Sequence, residues 1–412
     1  MKGSATVVNL SVKTGHQNVS MLGIGAYRPR RLVSNDEVCQ VLDSSDEWIF
    51  ERSGIRNRRW ISGDESARSM AAAAAERAIA NSGVAKEKIG ALILATNSWK
   101  TKIPHGGPIV ASDIGLNGIP AYDVAAGCGG FGYGLGVAAD TVRAGSAEYV
   151  LLVGVETMSV VMDPTDRNTA FIFGDGAGAV VVGPSEENGI SPTVWGSDGE
   201  NAEAIGQNWD IPEYMDRAQA YQDKDPETDP VGRMVVTMAG PKVFRWAAVT
   251  LPRALATVLE TSGVGVEDIE VFVPHQANAR INDLMKKNLG FPDDLPMAND
   301  IENTGNTSAA SIPLAMEEML ATGKARGGQT ALLLGFGAGL SYAGAVVTLP
   351  PAPRSPVSTD PRSLRSELRP PIPEERPELA EAAANPRSLR SARSLRRARH
   401  EGSGDASRQD PS

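Results

Sequence analysis

The chain of 412 residues has little of what builds disulfide-bonded, metal-binding or membrane proteins. It holds two cysteines and four histidines, and no apolar run reaches the ~18 residues that a membrane-crossing helix needs. Cys39 and Cys128 cannot make a disulfide framework and stand in no CxxC spacing. His16, His105, His275 and His400 form no HExxH pair, so no metal site is expected. Residues 1–20 lack the apolar core of a secretory leader, which makes the cytoplasm the expected compartment. Positive charge is also short: 40 Lys and Arg stand against 50 Asp and Glu, a net charge of −10. Duplex nucleic acid wants clustered basic residues, so it is not an expected partner. Aromatics make up 5% of the chain and are missing altogether from Pro351 onward.

That last absence marks a boundary. Residues 351–412 contain 12 Arg, 9 acidic residues and 10 of the 27 prolines, and PRSLRS occurs twice, at 361–366 and 386–391. The tail carries +3 and the body −13. A segment of this composition cannot bury enough surface to offset its ordering entropy. It is expected to be disordered, with a basic tether to a partner or membrane surface as the other reading.

What is present in the body is alternation of helix and strand. Residues 66–82 are rich in alanine and good helix formers, and Gly83 supplies a stop. Short continuous apolar runs follow at 91–96, 149–155, 177–182, 270–274, 331–336 and 344–349. Runs of this kind, separated by helices, predict sheets covered on both faces. The segment SGVAKEKIGALILATNS at 82–98 also aligns without gaps on SGVGVEDIEVFVPHQAN at 262–278, an offset of 180 with five of 17 positions identical. The same offset places Cys128 opposite Ser308 and Gly154 nearly opposite Gly335. Two fused halves are therefore expected, 19–185 and 186–350.

Four motifs carry candidate chemistry. Cys128 sits among glycines in AAGCGGF, ahead of a helical stretch whose N-terminus would lower the thiol pKa. Its bland alternative is a buried small hydrophobe, the reading kept for Cys39. GLGVAA fits a loose dinucleotide fingerprint but falls inside that helix and is discounted. His275 in VPHQANARI ends an apolar strand, where open α/β sheets place functional groups. Gly305-Asn306-Thr307-Ser308 is a tight polar turn before an amphipathic helix, either a functional turn or ordinary capping. The glycine-rich GFGAGLSYAG at 335–344 is a hairpin, or a loop that offers backbone N–H groups to an oxyanion.

These motifs, with SSDEWIFERSGIRNRRW and DPTDRNTAFIFGDGAGA, occur in an order that resembles the β-ketoacyl-acyl carrier protein synthase III family of the thiolase superfamily over residues 19–350. The resemblance implies an α/β, five-layered αβαβα fold of two similar halves, a homodimer, and no metal or redox cofactor. It implies that Cys128 takes an acyl group from acyl-CoA as a thioester. His275 and Asn306 would hold the thioester oxygen of malonyl-acyl carrier protein during decarboxylation. The backbone N–H groups of Cys128 and Ala338 would bind the tetrahedral oxyanion, Ala338 standing where glycine is frequent. Trp48 and Arg167 match positions that sandwich the CoA adenine, Arg52 a phosphate contact and Asn278 a pantetheine contact. Arg245 and Arg280 match basic positions where the acidic carrier protein docks, with Lys286 and Lys287 extending the patch. Ile103 matches a residue, often Phe in acetyl-specific members, that shapes the acyl pocket from the dimer partner. Segment 200–232 is expected over the substrate entrance.

Three other readings stay open. One is acyl transfer to an alcohol, amine or carrier without decarboxylation, disfavoured because such enzymes often alter the nucleophile or the His/Asn pair. A degradative thiolase would need a second cysteine in the C-terminal glycine turn, and GFGAGL has none. A non-catalytic partner subunit would be expected to lack Cys128.

Overall fold

Ser66 shows how this sequence starts and stops its elements. Its side chain accepts from the Ser69 amide, closing a reciprocal cap, and Gly83 at φ 71° ends the helix in the left-handed region that glycine enters freely. In the computed structural model, residues 10–11, 13–221 and 233–354 are described, and all of them belong to one compact unit. The tail expected at 351–412 lies outside the described residues apart from 351–354.

In chain order the first strands and helices are β1 (Val19–Tyr27), β2 (Arg31–Ser34), α1 (Asn35–Cys39), α2 (Asp46–Ser53), β3 (Asn57–Trp60) and α3 (Ala67–Ser82). They are followed by β4 (Ile89–Ala95), α4 (Gly106–Asp113), β5 (Ala121–Val124), α5 (Gly130–Arg143), β6 (Tyr149–Thr157) and β7 (Asp175–Pro184). The second series runs β8 (Val194–Ser197), β9 (Ile205–Gln207), α6 (Ile211–Tyr221), β10 (Val236–Met238), α7 (Gly240–Ser262) and β11 (Val271–Pro274). It closes with α8 (Ala279–Asn288), α9 (Ile301–Thr304), α10 (Ser311–Thr322), β12 (Thr330–Gly337) and β13 (Ser341–Thr348). Every apolar run picked out above is a strand, and GLGVAA lies inside α5.

The first large sheet has the order β1-β7-β6-β4-β5, the second β8-β13-β12-β11. The two match strand for strand. β7 is antiparallel to β1 and β6, as β13 is to β8 and β12. β4 runs parallel to β6, as β11 does to β12. Where β5 flanks β4, a single parallel bridge from Phe272 to Met297 flanks β11. The fold is thus two similar halves. α5 and α10 pack between the sheets, α3 covers the outer face of the first, and α7 covers the outer face of the second. One continuous core runs through the middle, joining Ile93, Leu152 and Val180 to Phe131 and Leu135 of α5, Ile312 and Met316 of α10, and Leu333 and Val347 beyond. On α7 the buried Val243, Ala247, Leu251, Ala254, Leu255 and Val258 form a stripe at helical spacing. Each fully buried leucine there contributes about 1.5–3 kcal/mol. No helix among the described residues is long and apolar enough to cross a membrane.

The halves meet by exchanging turns. A Cβ on Gly154 in β6 would lie 2.5 Å from the Ala309 carbonyl oxygen, just after Ser308. A Cβ on Gly335 in β12 would lie 3.0 Å from Cα of Gly129, just after Cys128. Each half supplies the bare glycine against which the other half seats its turn. Gly154→Ala is therefore expected to cost about 1–3 kcal/mol by overpacking against backbone, measured by urea unfolding. Gly199→Ala, which meets nothing within 4 Å, should stay within ~0.5 kcal/mol of wild type.

Candidate active site

Cys128 leaves β5 through Gly127, which has φ 57°, and precedes Gly129, the N-cap of α5. Gly127 approaches the Ala338 backbone closely: a Cβ there would be 2.7 Å from its nitrogen. A Cβ on Gly337 would be 3.0 Å from the Cys128 sulfur. The glycine-rich segment is thus both a hairpin joining β12 to β13 and the wall behind the thiol. The half-buried thiol differs in one respect from the expectation of a lowered pKa. Burial, reinforced by the carboxylate of Glu156, pushes its pKa up to about 12, against a hydrogen bond from Ser308 that lowers it. A helix N-terminus contributes at most ~2 kcal/mol, and desolvation wins.

His275 follows the last residue of β11, its amide donating to the Leu334 carbonyl at 2.7 Å. Its ring meets Phe336 edge-on at 5.1 Å. Nδ1 lies 2.5 Å from Oγ of Ser311, whose oxygen also accepts from the Gln276 amide at 3.4 Å. When the Ser311 hydroxyl donates to Nδ1, Nε2 is the protonated nitrogen. Burial pushes the ring pKa down to about 3, so the imidazole is neutral. Asn306 is set with similar economy. Its Oδ1 accepts from the Ser308 amide at 2.8 Å, so Nδ2 is the end left to donate. Its backbone is clamped by Asn306 N–H to Ile172 carbonyl at 2.8 Å and Gly174 N–H to Asn306 carbonyl at 3.0 Å.

Cys128, His275 and Asn306 all line one cavity of about 470 Å³. Its walls include Phe171, Phe173, Phe336 and Val243, and its rim carries Trp48, Arg52, Arg167, Asn278 and Arg280. The Arg52 and Arg167 guanidinium groups lie 4.7 and 5.3 Å from the Trp48 ring centroid, a cation–π arrangement. Arg58, wholly buried, donates to Asn35 Oδ1 at 2.7 Å and the Phe171 carbonyl at 2.8 Å, and its Cβ flanks Gly305. It ties the cavity wall to the Asn306 turn.

The remaining expected residues are placed as follows. Asn278 lines the cavity, but its side chain caps α8, accepting from the Arg280 amide and donating to the Arg52 carbonyl, both at 2.9 Å. The Lys286 Nζ donates to the Asp293 and Leu295 carbonyls, which hold its ammonium group beside α8. Arg245 and Lys287 are exposed and lie outside the cavity lining. Ile103 is 87% exposed and does not line its own chain's cavity. Of segment 200–232, Ile205 reaches the cavity, and 222–232 lie outside the described residues. Cys39 packs half-buried against the hydrophobic cluster behind the Phe171–Phe173 wall and does not line the cavity. Sequence reasoning missed Ser311 and Glu156. Glu156 was detectable as a carboxylate closing an otherwise apolar strand.

Two crossed halves with a thiol, a neutral imidazole and a carboxamide on one cavity make this a thiolase-fold condensing enzyme, an acyltransferase. Models of 3-oxoacyl-[acyl-carrier-protein] synthase III match residues 122–199 and, for its C-terminal part, 259–349. The chain is 51% identical over 340 residues to β-ketoacyl-[acyl-carrier-protein] synthase III of Mycobacteroides abscessus, covering 82% of this chain and 97% of that protein. It is 50% identical over 343 residues to the mycobacterial synthase III of Mycobacterium avium, covering 83% and 99%. Among solved structures, the priming β-ketosynthase of the R1128 polyketide pathway superposes with a TM-score of 0.78 at 41% identity, covering 84% of this chain and all (100%) of that one. Synthase III from Thermus thermophilus gives 0.72 at 38%, covering 81% and 100%. The chain belongs to the β-ketoacyl-acyl carrier protein synthase III family.

A buried neutral His275 has a stability signature. Between pH 6.5 and about 3 the unfolded ring binds a proton and the folded ring does not, so stability falls as pH drops through that window. Asp175, raised to about 6 by burial, contributes the opposite slope between about 4 and 6. The difference between wild type and His275→Gln in urea midpoints isolates the histidine: the variant should lose several kcal/mol less on acidification from pH 6.5 to 3.

Proposed function

We propose that this enzyme condenses an acyl-CoA primer with malonyl-acyl carrier protein in the cytoplasm, starting fatty-acid or polyketide chains. The reading rests above all on one observation: Cys128, His275 and Asn306, from three separate elements, line a single cavity. Cys128 attacks the acyl-CoA thioester, CoA leaves, and the acyl group stays on sulfur. Malonyl-acyl carrier protein then enters. His275 Nε2–H and Asn306 Nδ2–H hold its thioester oxygen, where negative charge grows as CO₂ departs; donors aimed at developing charge favour the transition state over the ground state. The enolate carbon attacks the acyl-cysteine carbonyl, and the backbone N–H groups of Cys128 and Ala338 receive the oxyanion.

Trp48 and Arg167 take the CoA adenine, which requires the guanidinium to swing off the indole face and clamp the base instead. Arg52 meets a CoA phosphate, and Asn278 guides pantetheine past its cap. Arg245 and Arg280, with Lys287, receive the acidic carrier, offsetting the repulsion expected from an acidic body. The exposed Ile103 completes the acyl pocket of a partner subunit in a homodimer, and the halves divide at 185/186.

The test uses purified protein, radiolabelled acyl-CoAs and malonyl-acyl carrier protein. Wild type should load label, release CO₂ and form β-ketoacyl product. Cys128→Ala should load nothing. His275→Ala and Asn306→Ala should load acyl groups yet release CO₂ about 10²–10³-fold more slowly. Loading followed by transfer without CO₂ would replace this reading with simple acyl transfer. Trp48→Ala should raise KM for acyl-CoA several-fold while leaving kcat for condensation nearly unchanged.

A further inference from the structure

The thiol of Cys128 is neutral at rest, and in the proposed condensation His275 donates from Nε2 rather than accepts. Some other group must take the thiol proton when sulfur attacks. Behind the sulfur, outside the cavity lining, stands a carboxylate that has no assigned part. Glu156 of β6 is wholly buried. It accepts from the Asn97 amide at 3.1 Å, Asn97 Nδ2 at 3.0 Å, the Ser98 amide at 3.0 Å, the Ser98 hydroxyl, and Ser308 Oγ at 3.0 Å. No Lys, Arg or His is among these partners. The titratable groups that face it are Cys128 and Asp175. A carboxylate buried among neutral donors holds a proton more readily than one in water, and burial does raise its pKa.

Ser308 joins this carboxylate to the thiol. Its Oγ donates to Glu156 at 3.0 Å, and the same side chain is the polar neighbour that acts on the Cys128 thiol. Its single hydroxyl hydrogen goes to Glu156, so in the relay the resting S–H is the donor to Ser308 Oγ, and Ser308 turns donor to sulfur once the thiolate forms. Ser308 is also the non-glycine residue with positive φ among the described residues, at 48°. Such a conformation costs of order 1–3 kcal/mol and persists where the surroundings enforce it. Here the Asn306 side chain and the seat on Gly154 enforce it. The crossed geometry explains why the relay exists on one side only. Glu156 lies two residues beyond Gly154 and touches Ser308; Gly337 lies two residues beyond Gly335 and abuts Cys128. One counterpart keeps a carboxylate, and the other has no side chain, which leaves room for sulfur.

We propose that Ser308 and Glu156 form a proton relay for Cys128, with Ser308 touching the reacting sulfur and Glu156 a positioning residue that acts through it. The S–H bond breaks as Ser308 Oγ takes that proton, and the Ser308 O–H proton passes to Glu156. Sulfur keeps the electron pair, attacks the thioester carbonyl, and the C–S bond to CoA breaks, CoA taking a proton from solvent. When the condensation intermediate expels Cys128, the two protons retrace their path. This inference rests on Cys128 being the nucleophile.

Iodoacetamide labelling of Cys128 in the free enzyme, followed from pH 5.5 to 10, tests it without any condensation step. With the relay, a fixed fraction of thiolate paired with protonated Glu156 gives wild type a pH-independent plateau around neutrality. Glu156→Gln and Ser308→Ala should both lose the plateau. Their rates should rise tenfold per pH unit and be at least tenfold below wild type at pH 7. If Glu156 acted only through its charge, removing it would make the thiol more acidic and labelling faster; if it were only structural, the profile would keep its shape. Either result overturns the relay. Ser308→Ala retains the carboxylate and stands as the second test should Glu156→Gln fail to fold. Absence of Cys128 labelling in wild type would instead sink the cysteine mechanism itself, which separates the two failures.

Discussion

The contact on which this structure depends is the crossed seating of two turns on two bare glycines. Gly154 receives the Ala309 carbonyl and Gly335 receives Gly129, so the backbone after Ser308 and the backbone after Cys128 are each fixed by the opposite half. A side chain at either position would part the halves at the point where the chemistry is assembled. The central layer of α5 and α10 follows from this crossing, since each helix begins where its turn is seated. The cavity follows too, because its floor is the line along which the crossed turns meet.

Electrostatics at that floor are governed by burial rather than by opposing charge. Cys128, His275 and Glu156 are each pushed toward the neutral form. The polar atoms are oriented by hydroxyls and amides: Ser311 on His275, the Ser308 amide on Asn306, Asn97 and Ser98 on Glu156. Cations stay at the rim, on Trp48, where the phosphates of CoA would arrive. Such a floor holds donors aimed at a developing oxyanion without a fixed charge that would bind the ground state equally well.

Much of the fold was legible because buried strands betray themselves as continuous apolar runs and because the 180-residue offset links matching elements. Ala91–Leu94 and Val271–Pro274 are aligned strands in the two sheets, as the offset demanded. Cys128 was legible because a thiol amid glycines at a strand end is unusual, His275 because it closes an apolar strand, and Asn306 because its turn stands in the family's motif order. The thiol's pKa was misjudged because helix starts are visible in a sequence and desolvation is not. That Lys286 also ties down two backbone carbonyls and that Asn278 also caps α8 could not be read from charge or amide type. Ser311 gives no signal at all until α10 brings it to His275.

The crossing has a consequence for how the chain can be divided. Here Cys128 belongs covalently to the first half, while the wall behind it, from Gly335 to Ala338, belongs to the second; Ser308 belongs to the second, while its carboxylate partner belongs to the first. A separated half would carry a turn with no seat and a glycine with nothing resting on it. The smallest piece of this protein that can hold a nucleophile in working position is both halves together.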